Sequence, residues 1–407
     1  MTFSPLQGLR ILDLTSVVVG PVCTARLAQY GAEVIKLESP EGDLMRGLGG
    51  QSPTGQHSGT YLHLNRGKRN ICCDLKKPGA REITDRLIAS ADIIIANMRP
   101  QALAKLGLDH ETICARHPEK IYCLITGYGL DGPYSGSPTY DSVVQAGSGI
   151  TGLTLARDGA PTYVPMVMCD HVVGEIAAGA VLAAFIQRQA SGQGAFVEVP
   201  MFETMVSFVL QEHLAQQSFV PAVGPAGDQR LLSSHNRPVQ TKDGWISFTI
   251  NTNKQVQAFL DAVGRSELKS DPRFSSVAAR AQNVALWFEI RGAPLTSRTT
   301  EEWLKIFRAG DIAAMPCHTI ETLQQDPHIL SAGLLGSETH PTEGETVILR
   351  SSIVVDREHS FTHGFAQPKG WESTSVAEDL GFSPDEIDVL FKEGTIMTTN
   401  PQAETCS

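Results

Sequence analysis

Short β-branched runs alternate with stretches of helical periodicity through the first third of the chain. Leu9–Leu14, Glu33–Leu37, Asn70–Asp74, Asp92–Ala96 and Ile121–Ile125 read as strands, with helical patterns over Cys23–Tyr30 and Ala80–Ser90. The strand runs are almost continuously apolar, as expected when both faces of a sheet are covered. This alternation predicts a parallel sheet flanked by helices. A long apolar helix is expected over Val172–Gln189, stopped at Ser191-Gly192-Gln193-Gly194, then a strand at Phe196–Val199 and a helix at Phe202–Gln216. Pro221–Asp228, with two Pro and two Gly, reads as a domain crossover. After it, Gly244–Ile250 alternates like a half-exposed strand, and helices are expected around Lys254–Val263 and Thr300–Arg308. The reading is a large α/β domain over 1–220 and a smaller α+β domain over 221–330.

Composition narrows the class. The 407 residues are 42% hydrophobic and 19% charged, enough apolar material for a large core and unlike a disordered chain. A net charge of −11 gives no general attraction to nucleic acid or anionic lipid, so neither is expected as a partner. No run is expected to reach the roughly 18 apolar residues of a membrane helix. Met1–Pro5 leads almost directly into the first strand, without the pattern of a secretory leader. The eight Cys form no paired CxxC clusters; adjacent Cys72 and Cys73 read as small buried hydrophobes. Cys114 with His117 supplies too few ligands for zinc. A reduced, cytoplasmic setting without a structural metal is expected.

Ligands of such sheets sit beyond the carboxyl ends of the strands. Those segments are Ser16–Gly20, Glu38–Asp43, Asp74–Lys77, Asn97–Pro100 and Thr126–Gly132, and none holds GxGxxG or GxxxxGK[ST]. Residues 61–120 carry 11 Lys+Arg against 7 Asp+Glu, within a chain that is acidic overall. Arg66, Lys68, Arg69, Lys76, Lys77, Arg99 and Lys105 suit an anionic ligand such as a phosphorylated cofactor, or form a solvated face. Asp170 stands directly before the long helix. There it is either an N-cap or a nucleophile kept ionised by the helix dipole. His171 beside it is a possible base, but no GxSxG elbow supports a hydrolase triad.

Several segments resemble the family III CoA-transferases, which include the formyl-CoA and carnitine CoA-transferases and the related α-methylacyl-CoA racemases. They are Leu6–Thr15, Gly20-Pro21, Gly31–Glu38, Asn65–Arg69, Asp74–Lys76, Asn97–Pro100, Leu106–Leu108, Gly127–Tyr134, Tyr140-Asp141, Gln145-Ala146 and Ser148-Gly149. Asp243–Trp245, Asp271–Phe274 and Pro316-Cys317 continue the pattern, in the same order, to about residue 395. The resemblance implies a Rossmann-like large domain, a return of the chain to it over 331–407 before a polar tail, and an interlocked homodimer. It implies that Asp170 is the catalytic carboxylate. Asp170 would form an anhydride with the donor acyl group and then an aspartyl-CoA thioester, with donors near Val18-Val19 at the oxyanion. Coenzyme A, as substrate and with no prosthetic group, would meet Val18, Val19, Cys73, Asp74, Leu75, Lys76, Asn97, Met98, Arg99 and Lys105. Val18 and Ser39 replace a Gln and an Arg of formyl-CoA transferase, and Val223–Arg230 lacks its glycine-rich loop. Tyr140 stands where racemases carry His, which disfavours racemisation. A racemase, a non-catalytic CoA-binding paralogue and a CoA-ester hydrolase, in which water intercepts the anhydride, are the alternatives. Arg46, His235 and Arg237 are candidates for a second substrate carboxylate, or ordinary surface charges.

Overall fold

The apolar runs of the first third form neighbouring strands in the computed structural model, which describes residues 3–359 and 364–400. The chain runs β1 (Arg10–Leu14), α1 (Val19–Gln29), β2 (Glu33–Glu38), α2 (Gly59–Leu64), β3 (Arg69–Cys73), α3 (Ala80–Ser90), β4 (Ile93–Ala96) and α4 (Pro100–Leu106). It continues through α5 (His110–Arg116), β5 (Ile121–Thr126), α6 (Asp141–Gly147), α7 (Ile150–Asp158), α8 (Met168–Ser191), β6 (Ala195–Pro200) and α9 (Met201–His213). Next come β7 (Val239–Gln240), β8 (Trp245–Thr249), α10 (Asn253–Ala262), α11 (Val277–Gln282), α12 (Val284–Arg291), α13 (Thr300–Ala309) and β9 (Ala313–Pro316). The last part holds α14 (Ile320–Leu323), α15 (Pro327–Ala332), β10 (Leu335–His340), β11 (Gly344–Leu349), β12 (Val354–Val355), β13 (Glu358–His359), α16 (Ser373–Asp379), α17 (Pro384–Lys392) and β14 (Ile396–Met397).

Seven strands form one sheet in the order β14-β3-β2-β1-β4-β5-β6. All neighbours pair in parallel except β14, which runs antiparallel to β3. β1 is central, with Leu12 beside both Ile35 and Ile94. Ile11, Ile71, Ile94 and Ile95 are fully buried, the burial on both faces that their unbroken apolar runs demand. The carboxyl ends of β1 to β5 therefore share one edge of the sheet.

The chain divides into two units. One holds residues up to Ser148, Val164–Ser207 and Leu330 onward; the other holds Gly149–Tyr163 and Phe208–Ile329. The crossover expected at residue 220 thus falls at 207, and α7 also belongs to the second unit. No local composition signal marks either point, because α9 runs through the first without a break. The second unit is built on the antiparallel sheet β7-β8-β9, whose core includes Ile246, Phe248, Phe259, Trp287, Trp303 and Phe307. Thr252 and Thr299 begin α10 and α13 with reciprocal capping boxes.

The long helix α8 differs from expectation in two ways. It starts at Met168, so Asp170 lies in its first turn and is not its N-cap, which is Val167. Its 24 residues are also long and apolar enough to span a bilayer, contrary to the sequence reading. Val173, Ala177, Ala178 and Val181 are buried in the first unit, as in a core helix.

Candidate active site

A cavity of about 400 Å³ opens at the carboxyl edge of the sheet. The β1–α1 loop lines it with Ser16–Val19, the β4–α4 loop with Asn97–Pro100, and the segments after β5 with Ile125–Tyr128, Leu130 and Gly136–Tyr140. Asp170 completes it from the first turn of α8, with Met201 beside it. Val18, Val19, Asn97, Met98, Arg99 and Asp170, six residues picked out by sequence, therefore meet in one cavity.

The β1–α1 loop is held from below by a buried polar network. Asp13 is fully buried and accepts hydrogen bonds from the Thr15 amide (2.9 Å), the Thr24 hydroxyl (2.7 Å) and Lys68 Nζ (3.2 Å). Lys36 Nζ pairs with Asp43 at 3.0 Å and donates to the Thr15 carbonyl at 2.7 Å. Burial alone would raise the Asp13 carboxyl, yet Lys68, Lys36 and the two hydroxyls hold it below its usual range. Burial pulls Lys68 down to about 8 against the attraction of Asp13. Asp43 also accepts the Val17 amide at 3.0 Å. This clamps Val17 at φ 69°, a conformation a β-branched residue adopts only when its surroundings impose it. Asn97 stitches the loop from the other side: its Oδ1 accepts the Ser16 amide (3.0 Å) and its Nδ2 donates to the Ser16 carbonyl (2.9 Å). The Asn97 side chain is thus a loop fastener.

Helix α1 begins at this loop. Val18 is its N-cap and offers no side-chain cap. Among the described residues, the amides of Val18, Val19 and Gly20 donate to no protein group. Free amides at the positive end of a helix form a ready site for developing negative charge. Glycine is required at 20, where a Cβ would lie 2.2 Å from that of Thr15. It is required again at 174, where a Cβ would lie 2.6 Å from the Val19 carbonyl oxygen. The second glycine lets α8 close on α1 one turn after Asp170.

Asp170 is 8% exposed. The first-turn amides of α8 do not serve it. Asp141 Oδ1, reaching from the start of α6, accepts the Cys169 amide at 2.7 Å and the Asp170 amide at 3.2 Å. Gln145, one turn along α6, donates to Asp141 Oδ2 at 2.6 Å and to the Met166 carbonyl at 3.1 Å, and accepts the Val164 amide at 2.9 Å. Burial, and then the negative Asp141, push the Asp170 carboxyl up from 3.8 to about 7. The helix dipole was expected to keep Asp170 ionised, but Asp141 takes the amides at the helix start, so burial and that neighbour oppose ionisation. Sequence reasoning assigned no role to Asp141 or Gln145. The signal was an acid opening a helix, with an amide four residues on.

The other expected ligands lie outside this cavity lining. Cys73 is buried in the sheet core, its thiol pushed up by burial to about 12, so only its backbone faces the strand end. Asp74 closes a turn by accepting the Lys76 amide at 3.0 Å, Leu75 packs on the core, and Lys76 is exposed. Lys105 is exposed in the last turn of α4. Three strand steps of about 4.8 Å separate the end of β3 from that of β4, roughly 14 Å along the same edge. Of the seven basic residues grouped by sequence, three are committed elsewhere. Arg66 pairs with Glu338, Lys68 with Asp13, and Arg69 with Glu33 and Asp379. Among the described residues, Lys76, Lys77, Arg99 and Lys105 form no ion pair. Arg46 is likewise engaged, bonding Glu38 through two nitrogens at 2.7 and 2.9 Å.

The profile of the CoA-transferase family III matches residues 6–373. The chain is 32% identical over 402 residues to the succinyl-CoA:glutarate CoA-transferase of Homo sapiens, covering 96% of this chain and 90% of that one. It is 27% identical to the (R)-2-hydroxy-4-methylpentanoate CoA-transferase of Clostridioides difficile, covering 96% and 99%. The crystal structure of a CaiB/BaiF family protein from Brucella suis superimposes with a TM-score of 0.79 at 26% identity, covering 93% and 100%. With this order of strands, this cavity and this similarity along its length, the chain belongs to the family III CoA-transferases.

Proposed function

We propose that the protein moves CoA from an acyl-CoA donor to a small carboxylic acid, with Asp170 as nucleophile. The observation that carries this reading is a carboxylate, 8% exposed, sharing a cavity with the free amides of Val18 and Val19. An Asp170 oxygen attacks the thioester carbonyl carbon; the C–S bond breaks and CoA leaves as thiolate, giving a mixed anhydride. The thiolate then attacks the aspartyl carbonyl, releasing the donor acid and leaving an aspartyl-CoA thioester. The acceptor carboxylate attacks that carbonyl and frees the thiolate, which takes the acceptor acyl group and regenerates Asp170. Each step passes through an oxyanion that amide donors stabilise. The chemistry needs a carboxylate because anhydride and thioester keep the acyl group activated.

In this reading the thioester end occupies the cavity beside Arg99. The nucleotide end extends along the sheet edge toward the Cys73–Lys76 turn, with Lys76 and Lys105 near its phosphates. The protein works as a homodimer, which the surface of α8 supports. Val172, Ile176, Gly179, Ala183 and Ile186 recur at helical spacing on its outward side, and Ile186 is 70% exposed. Among the described residues no histidine lines the cavity, which speaks against the racemase alternative.

Mass spectrometry after incubation with a panel of acyl-CoAs, with hydroxylamine or borohydride trapping, tests the mechanism. An adduct confined to the Asp170 peptide is expected. Asp170→Ala should abolish transfer and leave CoA binding nearly intact; unchanged turnover in that variant would sink the assignment. Deuterium exchange at the acyl α-carbon without transfer would favour the racemase.

A further inference from the structure

Among the described residues, the second unit holds a half-buried cation with no counter-ion. Arg291 is the last residue of α12, and its Nη2 donates to the Phe248 carbonyl at 2.9 Å. Its guanidinium carbon lies 4.7 Å from the ring centre of Phe288 and 5.6 Å from that of Phe248. Its Nε is buried and has no hydrogen-bond partner. Among the described residues no carboxylate pairs with it, and burial alone pulls it down to about 10, so it remains charged at neutral pH. Aromatic faces offset part of such a charge. The rest of the desolvation cost stands until an anion arrives.

The same side chain borders a cavity of about 150 Å³. Arg237 and His235 line it as further cations or donors, Ser247 and Thr249 add hydroxyls from β8, and among the described residues the lining holds no Asp or Glu. Arg237 is exposed and, among the described residues, forms no ion pair. Two guanidinium groups that pair with no carboxylate among the described residues, and adjacent hydroxyls, match the planar oxygens of a carboxylate. We propose that this cavity is an oxyanion site for the carboxylate of a small organic acid, held by the guanidinium groups of Arg291 and Arg237. The site is defined within its own unit and does not depend on the role of Asp170.

Calorimetric titration of the full-length protein with succinate, glutarate and inorganic phosphate tests this, with chloride as control. Charge-assisted hydrogen bonds of this kind predict saturable carboxylate binding that weakens roughly ten- to hundred-fold in Arg291→Gln and in Arg237→Gln. Arg237 is at the exposed rim, so its variant stays informative if Arg291→Gln fails to fold. Binding must persist in Asp170→Asn, which separates this site from the transfer chemistry. Phosphate binding at least as tightly as either carboxylate would overturn the carboxylate assignment. Binding unchanged in the folded Arg variants, binding lost in Asp170→Asn, or no saturable binding of any probe would overturn the site.

Discussion

At Asp170, burial and Asp141 act in the same direction, and both oppose ionisation. Only the ionised form attacks a thioester, so kcat/KM should rise with pH through a limb near 7 and level off above it. Asp141→Asn removes the like charge while an amide oxygen can still accept the Cys169 N–H. The limb should then move to lower pH, as measured by the pH–rate profile; an unmoved limb would show that Asp141 only orients the helix. The same shift has a stability consequence of definite sign. A carboxyl raised from 3.8 to about 7 takes up protons on folding, so stability falls as pH rises through that window. Asp170→Asn escapes this loss. Thermal denaturation should show the variant gaining stability over the parent above pH 7, by up to roughly 4 kcal/mol, and no such gain below pH 4. Glu38 has the opposite sign. Burial would raise it, but Arg46, Lys36 and Tyr61 hold it at about 2, and its contribution is lost as pH falls below 4.5.

The elements matter through how closely they approach. Helices α1 and α8 meet where Gly174 faces the Val19 carbonyl, and any side chain there would have to push the two apart. Gly174→Ala should cost roughly 1–3 kcal/mol, as overpacking does, and should also reduce kcat. The reason is geometric: the variant displaces the α1 amides from Asp170, which sits one turn before the glycine. Melting temperature and single-turnover rates would check both effects; a loss of stability with unchanged chemistry would separate packing from positioning. The β1–α1 loop has its own constraints in Asp43 and Asn97, which hold Ser16 and Val17 from two sides. Those bonds join positions 26 and 81 residues apart, so neither was visible as a local motif.

For the whole molecule, a net charge of −11 coexists with a local excess of positive charge over residues 61–120. The outward stripe of α8 gives the proposed homodimer a direct test. Ile186→Asp introduces a charge at an exposed apolar position, which is nearly neutral in a monomer and costly in a buried interface. Light scattering should show the variant shifted toward monomer; a dimer of undiminished stability would place the interface elsewhere. The discontinuity of the first unit is another property of this scale. Residues from 330 onward rejoin it, and β14 pairs with β3 more than 300 residues earlier in the chain.

Strands β1 to β6 and β8 and helices α1, α3, α8, α9, α10 and α13 were legible in the sequence because each follows from local periodicity, and the sheet's parallel character followed from the covered, unbroken apolar strands. The placement of Asp170 near a helix start was also legible. Its protonation was not: that depends on Asp141, 29 residues away, and on burial that no local pattern encodes. The basic cluster shows the same division. Sequence counted seven cations together, but folding brought Glu338 to Arg66, Asp13 to Lys68 and Asp379 to Arg69. Local preference acts between neighbours in sequence and fixes the elements. Desolvation and Coulomb interaction act between neighbours in space, so only the assembled fold decides which charges are spent on structure and which remain for the ligand.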